Sequence, residues 1–407
     1  MEYSDNLASN EQVQIDFQGI ELHGLNGANG SDGANGIETE IYPGLEEREI
    51  VTEFGVPLRV YVHRGSKCCG SIITYHDLGT NHRSLLRFFN HPDMRVIMDY
   101  FTVYHVCAPG HHDTAGPVAS EVIVSDDPEG GSVREGLLGS GGGATATNGS
   151  ASNTSYAVYG QGRGTVPSYP SLDQLAEMLQ SVVQAYSISC FVGVGIGAGA
   201  NILARHALRH SERVLGLFLV NANAHSDNTY YNWLFANYNA EWDRLKHGVL
   251  TISAQRALEM HWFGHTESES VDLIERYRRH LLSLCLPNVA GFIQAYNQRP
   301  DLGIQRGGRT LPVQTFLLTG SLGKYQAKSL VAMNARCDPS KTEYLIADEA
   351  DGMLIEEQPD KAAGYLLGLL RETGLVAFLT PARVREQAIR LSTDALMRRD
   401  QSGVDVC

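Results

Sequence analysis

The chain has 407 residues with 32 basic and 46 acidic side chains, which gives a formal net charge of −14. That balance argues against a surface that binds nucleic acid. No stretch of the sequence approaches the roughly 18 apolar residues of a membrane-spanning helix, and the first residues lack the basic and apolar regions of an export signal. The seven cysteines are odd in number and have no metal-ligand spacing, so they indicate reduced thiols in a cytoplasmic protein.

The ordered elements are predicted to begin near Glu47, after a low-complexity segment, residues 1–44, that we expect to be disordered. Alternating residues on both sides of the turn Phe54-Gly-Val-Pro57 predict an antiparallel hairpin. A buried strand, a helix interrupted at Pro92 and another strand follow, which is the order of a parallel sheet. Strands are predicted at 48–53, 58–63, 71–75, 101–106, 191–194, 214–220, 313–319 and 343–346.

Two segments depart from this alternation of strands and helices. Residues 115–167 are rich in Gly, Ser, Asn and Thr, which predicts a low-complexity insertion within a core that runs over 45–224. Residues 225–300 have helical periodicity and no strand pattern, so we expect a helical cap inserted before the core resumes over 301–372. Helices are also predicted at 85–99, 172–179, 198–208 and 359–371, the last of these being the final packed helix before a tail at 373–407.

The central feature of the sequence is a glycine-rich turn between the strand 191–194 and the helix that begins at Ala198. The stretch Gly195-Ile-Gly197-Ala-Gly199-Ala200 fits both a dinucleotide-binding turn and the nucleophile elbow Gly-x-Ser-x-Gly. A dinucleotide turn follows the first strand of its domain and has an acidic residue about 20 positions later. Here at least four strands precede the turn and the next strand ends at Asn221 without a carboxylate, so the context favours the elbow.

An elbow predicts a nucleophile, an acid and a histidine at three positions of the chain. The nucleophile position is Gly197, which has no side chain. The acid position after the strand 313–319 is Ser321, and counting back from Glu357-Gln-Pro359 places the histidine position at Gly352. All three catalytic groups are therefore missing, and we predict that the chain has no catalytic residues and no cofactor.

The chain resembles the N-myc downstream-regulated (NDRG) proteins, a non-catalytic branch of the α/β-hydrolase fold. The resemblance extends over about residues 45–372. Its motifs are Thr74-Tyr-His-Asp-Leu-Gly79, His105-Val-Cys-Ala-Pro-Gly110, Tyr169-Pro-Ser-Leu-Asp-Gln-Leu-Ala176, Val192-Gly-Val-Gly-Ile-Gly-Ala-Gly-Ala200, Ile202-Leu-Ala-Arg205 and Arg299-Pro-Asp-Leu302. The resemblance implies a mostly parallel sheet flanked by helices, with an inserted helical cap. The chain differs in its glycine-rich insertion, its longer N-terminus and a tail without the tandem repeats of some members.

The resemblance implies a cytosolic interaction or adaptor protein in signalling, stress response, differentiation or trafficking, with protein partners. One alternative is a small-molecule or lipid sensor that uses a vestigial hydrolase pocket. Another is a hydrolase with unconventional residues, for which His76 and Asp77 are the candidates.

The candidate vestigial pocket consists of the loop after the strand 71–75 and the residue after the elbow. Its predicted residues are His76, Asp77, Leu78, Gly79 and Ala198. A wall that binds a ligand and a loop fixed by side-chain hydrogen bonds are both compatible with this pattern, and we favour the second.

No metal site is predicted. His111, His112 and Asp113 indicate a solvated loop, because adjacent histidines point apart and no third ligand is evident. His261 and His265 have the spacing of a zinc helix, but Gly264 lies between them, so we expect them to pack in the core or the cap.

Overall fold

The computed structural model describes residues 45–118, 169–225, 239–264 and 271–402. The predicted disordered segment 1–44, nearly all of the predicted insertion, residues 226–238 and 265–270 of the predicted cap, and the last residues of the tail lie outside these ranges. The predicted boundaries of core, cap and tail stay predictions. The described residues all belong to one unit, Pro43–Cys407.

Eight strands form a single sheet in the order β1-β2-β4-β3-β5-β6-β7-β8. The strands are β1 Glu46–Val51, β2 Pro57–Arg64, β3 Gly70–Tyr75, β4 Phe101–Cys107, β5 Phe191–Ile196, β6 Val214–Val220, β7 Gln314–Gly320 and β8 Thr342–Ala347. β2 pairs antiparallel with β1 and with β4, and every other neighbouring pair is parallel. The prediction of a mostly parallel sheet with an N-terminal hairpin is confirmed.

The burial of each strand follows its place in the sheet. β4 and β5 are buried at every residue, as expected of strands covered on both faces, and their sequences are almost continuously apolar. β1 lies at one edge and exposes most of its residues, among them Glu46 and Glu47, which pair with Arg64 and Arg59 of β2. A charged edge of this kind discourages pairing with another chain.

Helices cover both faces of the sheet and connect its parallel strands. The helices are α1 Arg83–Asn90, α2 Pro92–Met98, α3 Leu172–Ala185, α4 Ala198–Arg209, α5 Asn239–Lys246, α6 Ile252–Phe263, α7 Val271–Leu282, α8 Leu286–Asn297, α9 Lys324–Arg336, α10 Leu354–Glu357, α11 Pro359–Glu372 and α12 Pro381–Ser402, with a 3-10 turn at Ser211–Arg213. Pro92 occupies the first position of α2, where its missing N–H costs nothing. Ser171 and Gln174 form a capping box that starts α3. We call α5 to α8, which lie between β6 and β7 in the chain, the cap helices.

Three helices differ from the predictions, among them the short α10, which was not predicted. α9 was not predicted, because its buried face includes Gln326 and Ser329 and so lacks a clear apolar period. α12 packs against α2, and its residues Val384 and Ala388 are buried. The prediction that 359–371 is the last packed helix is therefore wrong. Among the residues that the structure describes, no helix has both the length and the apolar character needed to cross a bilayer.

Candidate functional site

The turn between β5 and α4 has the backbone geometry of a nucleophile elbow. β5 ends at Ile196, α4 begins at Ala198, and Gly197 between them has φ +51° and ψ −110°. That conformation strains any residue with a side chain. The flanking residues must also be small, because a Cβ on Gly195 would lie 2.7 Å from the Ala200 backbone and one on Gly199 would overlap the Tyr75 carbonyl.

The other two predicted positions follow the strands in which hydrolases carry their remaining catalytic groups. Ser321 follows β7 directly, and its hydroxyl accepts a hydrogen bond from the Glu349 backbone N–H at 3.2 Å. Gly352 lies in the loop after β8, where its carbonyl accepts a hydrogen bond from the Asn221 side chain at 2.7 Å. The topology thus brings Gly197, Ser321 and Gly352 to the carboxyl ends of β5, β7 and β8.

The carboxylate of Asp77 occupies the space directly above Gly197. A Cβ atom on Gly197 would overlap the carboxylate carbon and both oxygens of Asp77. Asp77 Oδ1 accepts hydrogen bonds from the backbone N–H of Leu78 at 2.7 Å and of Ala198 at 2.8 Å. The place of a nucleophile's side chain is therefore taken by a carboxylate from the loop after β3.

The two N–H groups bound by Asp77 are those that form an oxyanion hole in α/β-hydrolases. That hole consists of the N–H of the residue after the nucleophile and an N–H from the loop after β3. Here these groups are Ala198 N–H and Leu78 N–H. Both residues are buried, so Asp77 also supplies the acceptor that these donors require.

The cap helix α6 closes the site from above. Nε2 of His261 donates a hydrogen bond to Asp77 Oδ1 at 3.0 Å, and both side chains are at most 2% exposed. The neighbouring Trp262 donates from Nε1 to the Leu78 carbonyl at 2.8 Å. Its ring lies over Gly79, where a Cβ would come within 2.9 Å of the indole. The last turn of α6 therefore fills the space in which a substrate would lie.

The same turn of α6 also contacts the regions of the two other predicted positions. Gly352 N–H donates to the Phe263 carbonyl at 2.9 Å, and a Cβ on Gly352 would overlap the Trp262 carbonyl. Gln326, near the start of the helix that follows Ser321, donates to the His261 carbonyl at 2.8 Å. The loop that contains Gly352 and the helix that follows Ser321 thus both hold the last turn of the cap helix α6.

His76 lies beside this site but faces away from it. Its Nδ1 donates to the Asp77 carbonyl at 2.8 Å and its Nε2 accepts from the Ala108 N–H at 2.9 Å. These partners fix a neutral ring with the proton on Nδ1. Burial, together with the nearby His111, holds the pKa of His76 well below its usual value. Neither ring nitrogen has a lone pair directed at Gly197.

The structure brings most of the predicted pocket residues together, but they form a packed contact between the core and the cap and leave no open pocket among them. Asp77, Leu78 and Ala198 share hydrogen bonds, Gly79 contacts Trp262, and His76 binds backbone groups of its own loop and of the loop after β4. Sequence analysis missed three contributors from the cap and from α9, which are His261, Trp262 and Gln326. The only signal was the His261–His265 spacing, which pointed to packing; His265 lies outside the described residues.

The predicted loop 111–113 is not fully solvated. His111 is buried, packs edge-on against Phe292 of α8 with ring centroids 5.3 Å apart, and has a pKa lowered to about 4, mainly by burial. His112 is only partly exposed. Within the described ranges, no group of three or more His, Cys, Asp or Glu side chains is arranged to hold a metal ion.

A cleft of about 500 Å³ opens elsewhere at the border between α1, α7 and the loop after β8. Its charged lining includes Arg87, Asp272, Arg276 and Glu356, with Arg276 paired to the side chain of Glu356 at 3.0 Å. Neither Asp77 nor Gly197 lines it, so the cleft is separate from the elbow.

The strand order and the elbow define a protein with the α/β-hydrolase fold. A thermophilic esterase from Thermogutta terrifontis superimposes with a TM-score of 0.55 at 15% identity, covering 81% of this chain and 99% of the esterase. An esterase from Exiguobacterium antarcticum gives a TM-score of 0.54 at 12% identity, covering 79% of this chain and 98% of that one. At these identities the similarity establishes the fold alone.

The chain belongs to the Ndr family, whose sequence model matches residues 47–126 and 163–377. Protein NDRG1-A of Xenopus laevis is 31% identical over 300 residues, which are 72% of this chain and 62% of that relative. Protein NDRG2 of Pan troglodytes is 30% identical over 311 residues, 75% of this chain and 71% of that relative. The chain thus spans about 62% of the length of the Xenopus protein. The predicted family resemblance is confirmed.

Proposed function

We propose that this protein is a non-enzymatic member of the α/β-hydrolase fold that acts through contacts with protein partners in the cytoplasm. The observation that carries the proposal is the position of the Asp77 carboxylate, which takes the space of a nucleophile above Gly197 and binds both N–H groups of the oxyanion hole. Following the family resemblance, we assign it an adaptor role in signalling, stress response, differentiation or trafficking.

The chemistry of acyl transfer supports this proposal. An active hydrolase needs a nucleophile, a base that takes its proton, and a group that orients the base. Gly197, Ser321 and Gly352 supply none of these at the three positions. An oxyanion hole together with substrate binding retains roughly 10³-fold catalysis over water when the triad is lost. Here a carboxylate occupies that hole, so we expect even this residual activity to be absent.

A hydrolase that uses His76 and Asp77 is disfavoured by their hydrogen bonds. His76 cannot act as a general base, because its Nε2 lone pair accepts the Ala108 N–H and its Nδ1 proton is donated to a carbonyl. Asp77 Oδ1 accepts three hydrogen bonds, and the side chain is 1% exposed. A substrate would have to displace the last turn of α6 before reaching either residue.

The sensor alternative requires an open pocket above the elbow. That space holds the Asp77 carboxylate, His261 and the indole of Trp262. Filled space of this kind favours a scaffold over a receptor for small molecules.

The cysteines support a cytoplasmic location. All six that fall in the described ranges are free, and two of them, Cys68 and Cys69, are exposed. Exposed free thiols on adjacent residues are typical of a reducing compartment.

The test is an assay of the purified full chain against a broad panel of esters and lipids. The double variant His76→Ala, Asp77→Ala and the single variant Asp77→Asn are measured beside it, with circular dichroism to verify folding. We expect no turnover above buffer by the wild-type chain. Robust turnover that both variants abolish would contradict the proposal. Thermal stabilisation of the wild-type chain by a panel member, without turnover, would favour the sensor instead.

A further inference from the structure

A single oxygen of Asp77 is the meeting point of three N–H donors from three segments of the chain. Leu78 donates from the loop after β3, Ala198 from the first position of α4, and His261 from the cap. The distances from these nitrogens to Oδ1 are 2.7, 2.8 and 3.0 Å. Convergence of three donors on one oxygen is the arrangement by which a protein recognises an anionic oxygen.

The second oxygen of the same carboxylate differs from Oδ1 in its hydrogen bonding. Oδ2 is buried and has no hydrogen-bond partner within the part of the chain that the structure describes. A carboxylate that served only as a structural acceptor would be expected to satisfy both oxygens. The donors of the site are therefore all directed at one oxygen, which is the arrangement of an oxyanion hole.

We infer that the oxyanion hole of this fold persists here as a working carboxylate-binding site, and that Asp77 is its built-in ligand. The positive end of the α4 dipole adds to the attraction, since Ala198 N–H is the first donor of a 12-residue helix. A ligand that belongs to the chain has a very high effective concentration. The wild-type protein consequently excludes free carboxylates from this site.

This inference rests on the proposed function and extends it, because it gives a physical reason for the lack of substrate binding that we propose. It makes a separate prediction, however, which is that removal of the Asp77 side chain leaves an empty site with the same specificity. Buried N–H groups without an acceptor are costly, so an external anion of the right size should bind there and restore stability.

The experiment matches the size of the added anion to the size of the side chain removed. Asp77→Ala removes one carboxylate group, which formate replaces, and Asp77→Gly removes a methylene as well, which acetate replaces. The melting temperature of the full chain is measured against formate and acetate, with sodium chloride at equal ionic strength and formamide as a neutral analogue of formate. Leu281→Ala, which opens an apolar cavity above Gly79 without N–H donors, is the matched control.

We expect formate at ten times its binding midpoint to raise the melting temperature of Asp77→Ala by about 2–3 °C relative to chloride. Acetate should act best on Asp77→Gly, and neither anion should affect the wild-type chain or Leu281→Ala beyond the salt control. Should Asp77→Ala fail to fold in chloride, its refolding yield in formate gives the same information. Asp77→Asn keeps an acceptor for both N–H groups, so formate should not change its melting temperature relative to chloride.

Equal effects of formate and chloride on Asp77→Ala would overturn the inference, as would equal effects of formate and formamide. Those outcomes leave the proposed function untouched. Ester hydrolysis by the wild-type chain, by contrast, would contradict the proposed function whether or not formate binds to the variants.

Discussion

The indole Nε1 of Trp262 donates a hydrogen bond of 2.8 Å to the backbone carbonyl of Leu78, and so joins the cap helix α6 to the loop after β3. Both backbone polar groups of Leu78 are thereby engaged, because its own N–H donates to Asp77. The cap is therefore attached to the core at the residues that would form the catalytic centre of a hydrolase. We therefore expect loss of this hydrogen bond to destabilise the hydrogen bonds of Asp77 as well as the packing of the cap.

Trp262→Phe is expected to lower the free energy of unfolding by about 1–3 kcal/mol, because it leaves the buried Leu78 carbonyl without a donor while keeping an aromatic ring. Urea unfolding measures this loss. Hydrogen exchange should show faster exchange at the amides of Leu78 and Ala198. Phe263→Leu, which removes volume from the same helix but no hydrogen bond, is the control. Equal exchange at these amides in both variants would contradict the role of the indole.

Gly197→Ala tests the position of the Asp77 carboxylate. The new Cβ would overlap that carboxylate and would lie on a residue with φ +51°, so we expect a loss of about 3 kcal/mol or more. In an Asp77→Gly background the overlap disappears and only the backbone strain remains, at about 1–2 kcal/mol. The double-mutant cycle should therefore give a favourable coupling of at least about 1 kcal/mol.

Gly364→Ala is the control for this cycle. Gly364 lies in the exposed part of α11, where an added methyl group would meet nothing within 4 Å, and its φ is ordinary. Alanine there should stabilise the protein by about 0.5–1 kcal/mol, since it favours the helix. Additive effects of Gly197→Ala and Asp77→Gly would mean that the carboxylate does not lie above Gly197.

The sheet could be predicted from the sequence because its buried strands are continuous apolar runs bounded by turns. β5 and β6 are examples, and both lie within a residue or two of their predicted ends. α9 could not be predicted in this way, since Gln326 faces inward to bind the cap. Gln326 is buried because of a contact with a distant part of the chain, and such a contact produces no helical period of apolar residues in the sequence.

The site was predictable only in part for a similar reason. The turn at Gly197 is local, so its glycines identify it within one stretch of sequence. The contact between Asp77 and His261 joins residues 184 positions apart, and no local pattern encodes such a pair. A buried polar helix residue such as His261 is compatible with metal binding, packing or a hydrogen bond, and the fold alone decides among them.

Buried histidines make the stability depend on pH. Burial lowers the pKa of several of them, to about 4 for His111, His206 and His280, to about 3 for His105, to about 2 for His82 and well below the usual value for His76. In the unfolded chain these groups ionise near pH 6.5. Below that pH the unfolded state binds more protons than the folded state, so the free energy of unfolding falls as the pH is lowered. Above about pH 7 these histidines are neutral in both states, so they no longer make the free energy of unfolding depend on pH.

Each such histidine contributes up to about 1.4 kcal/mol per pH unit between pH 6.5 and its pKa in the folded protein. His206→Phe removes one of them from α4. It lowers stability at pH 7, because the Ala176 carbonyl loses its donor, Nδ1 of His206. The slope of unfolding free energy between about pH 6 and pH 5 should nevertheless become shallower by about 1 kcal/mol per unit. An unchanged slope in urea titrations at several pH values would show that His206 does not ionise on unfolding.

The last prediction concerns the segment between residues 118 and 169, which lies outside the described ranges. The Val118 N–H donates to Oδ1 of Asn288 at 2.9 Å, and the Tyr169 ring packs against Gly291. Asn288 and Gly291 are three positions apart in α8, about one helical turn, so the chain leaves and returns at the same place.

Because the two ends meet at one turn of α8, replacing residues 119–168 with a linker of about eight Gly and Ser residues should leave the core intact. Loop-closure entropy changes only slowly with length, so the free energy of unfolding is expected to stay within about 1 kcal/mol of the wild-type value or to rise slightly. Asn288→Ala, by comparison, removes its side-chain bonds to Gly110, Gly116 and Val118 and should cost about 1–3 kcal/mol. Urea unfolding of both variants makes the comparison. A larger loss on excision than in Asn288→Ala would mean that residues 119–168 contribute to the packed core and are not a passive insertion.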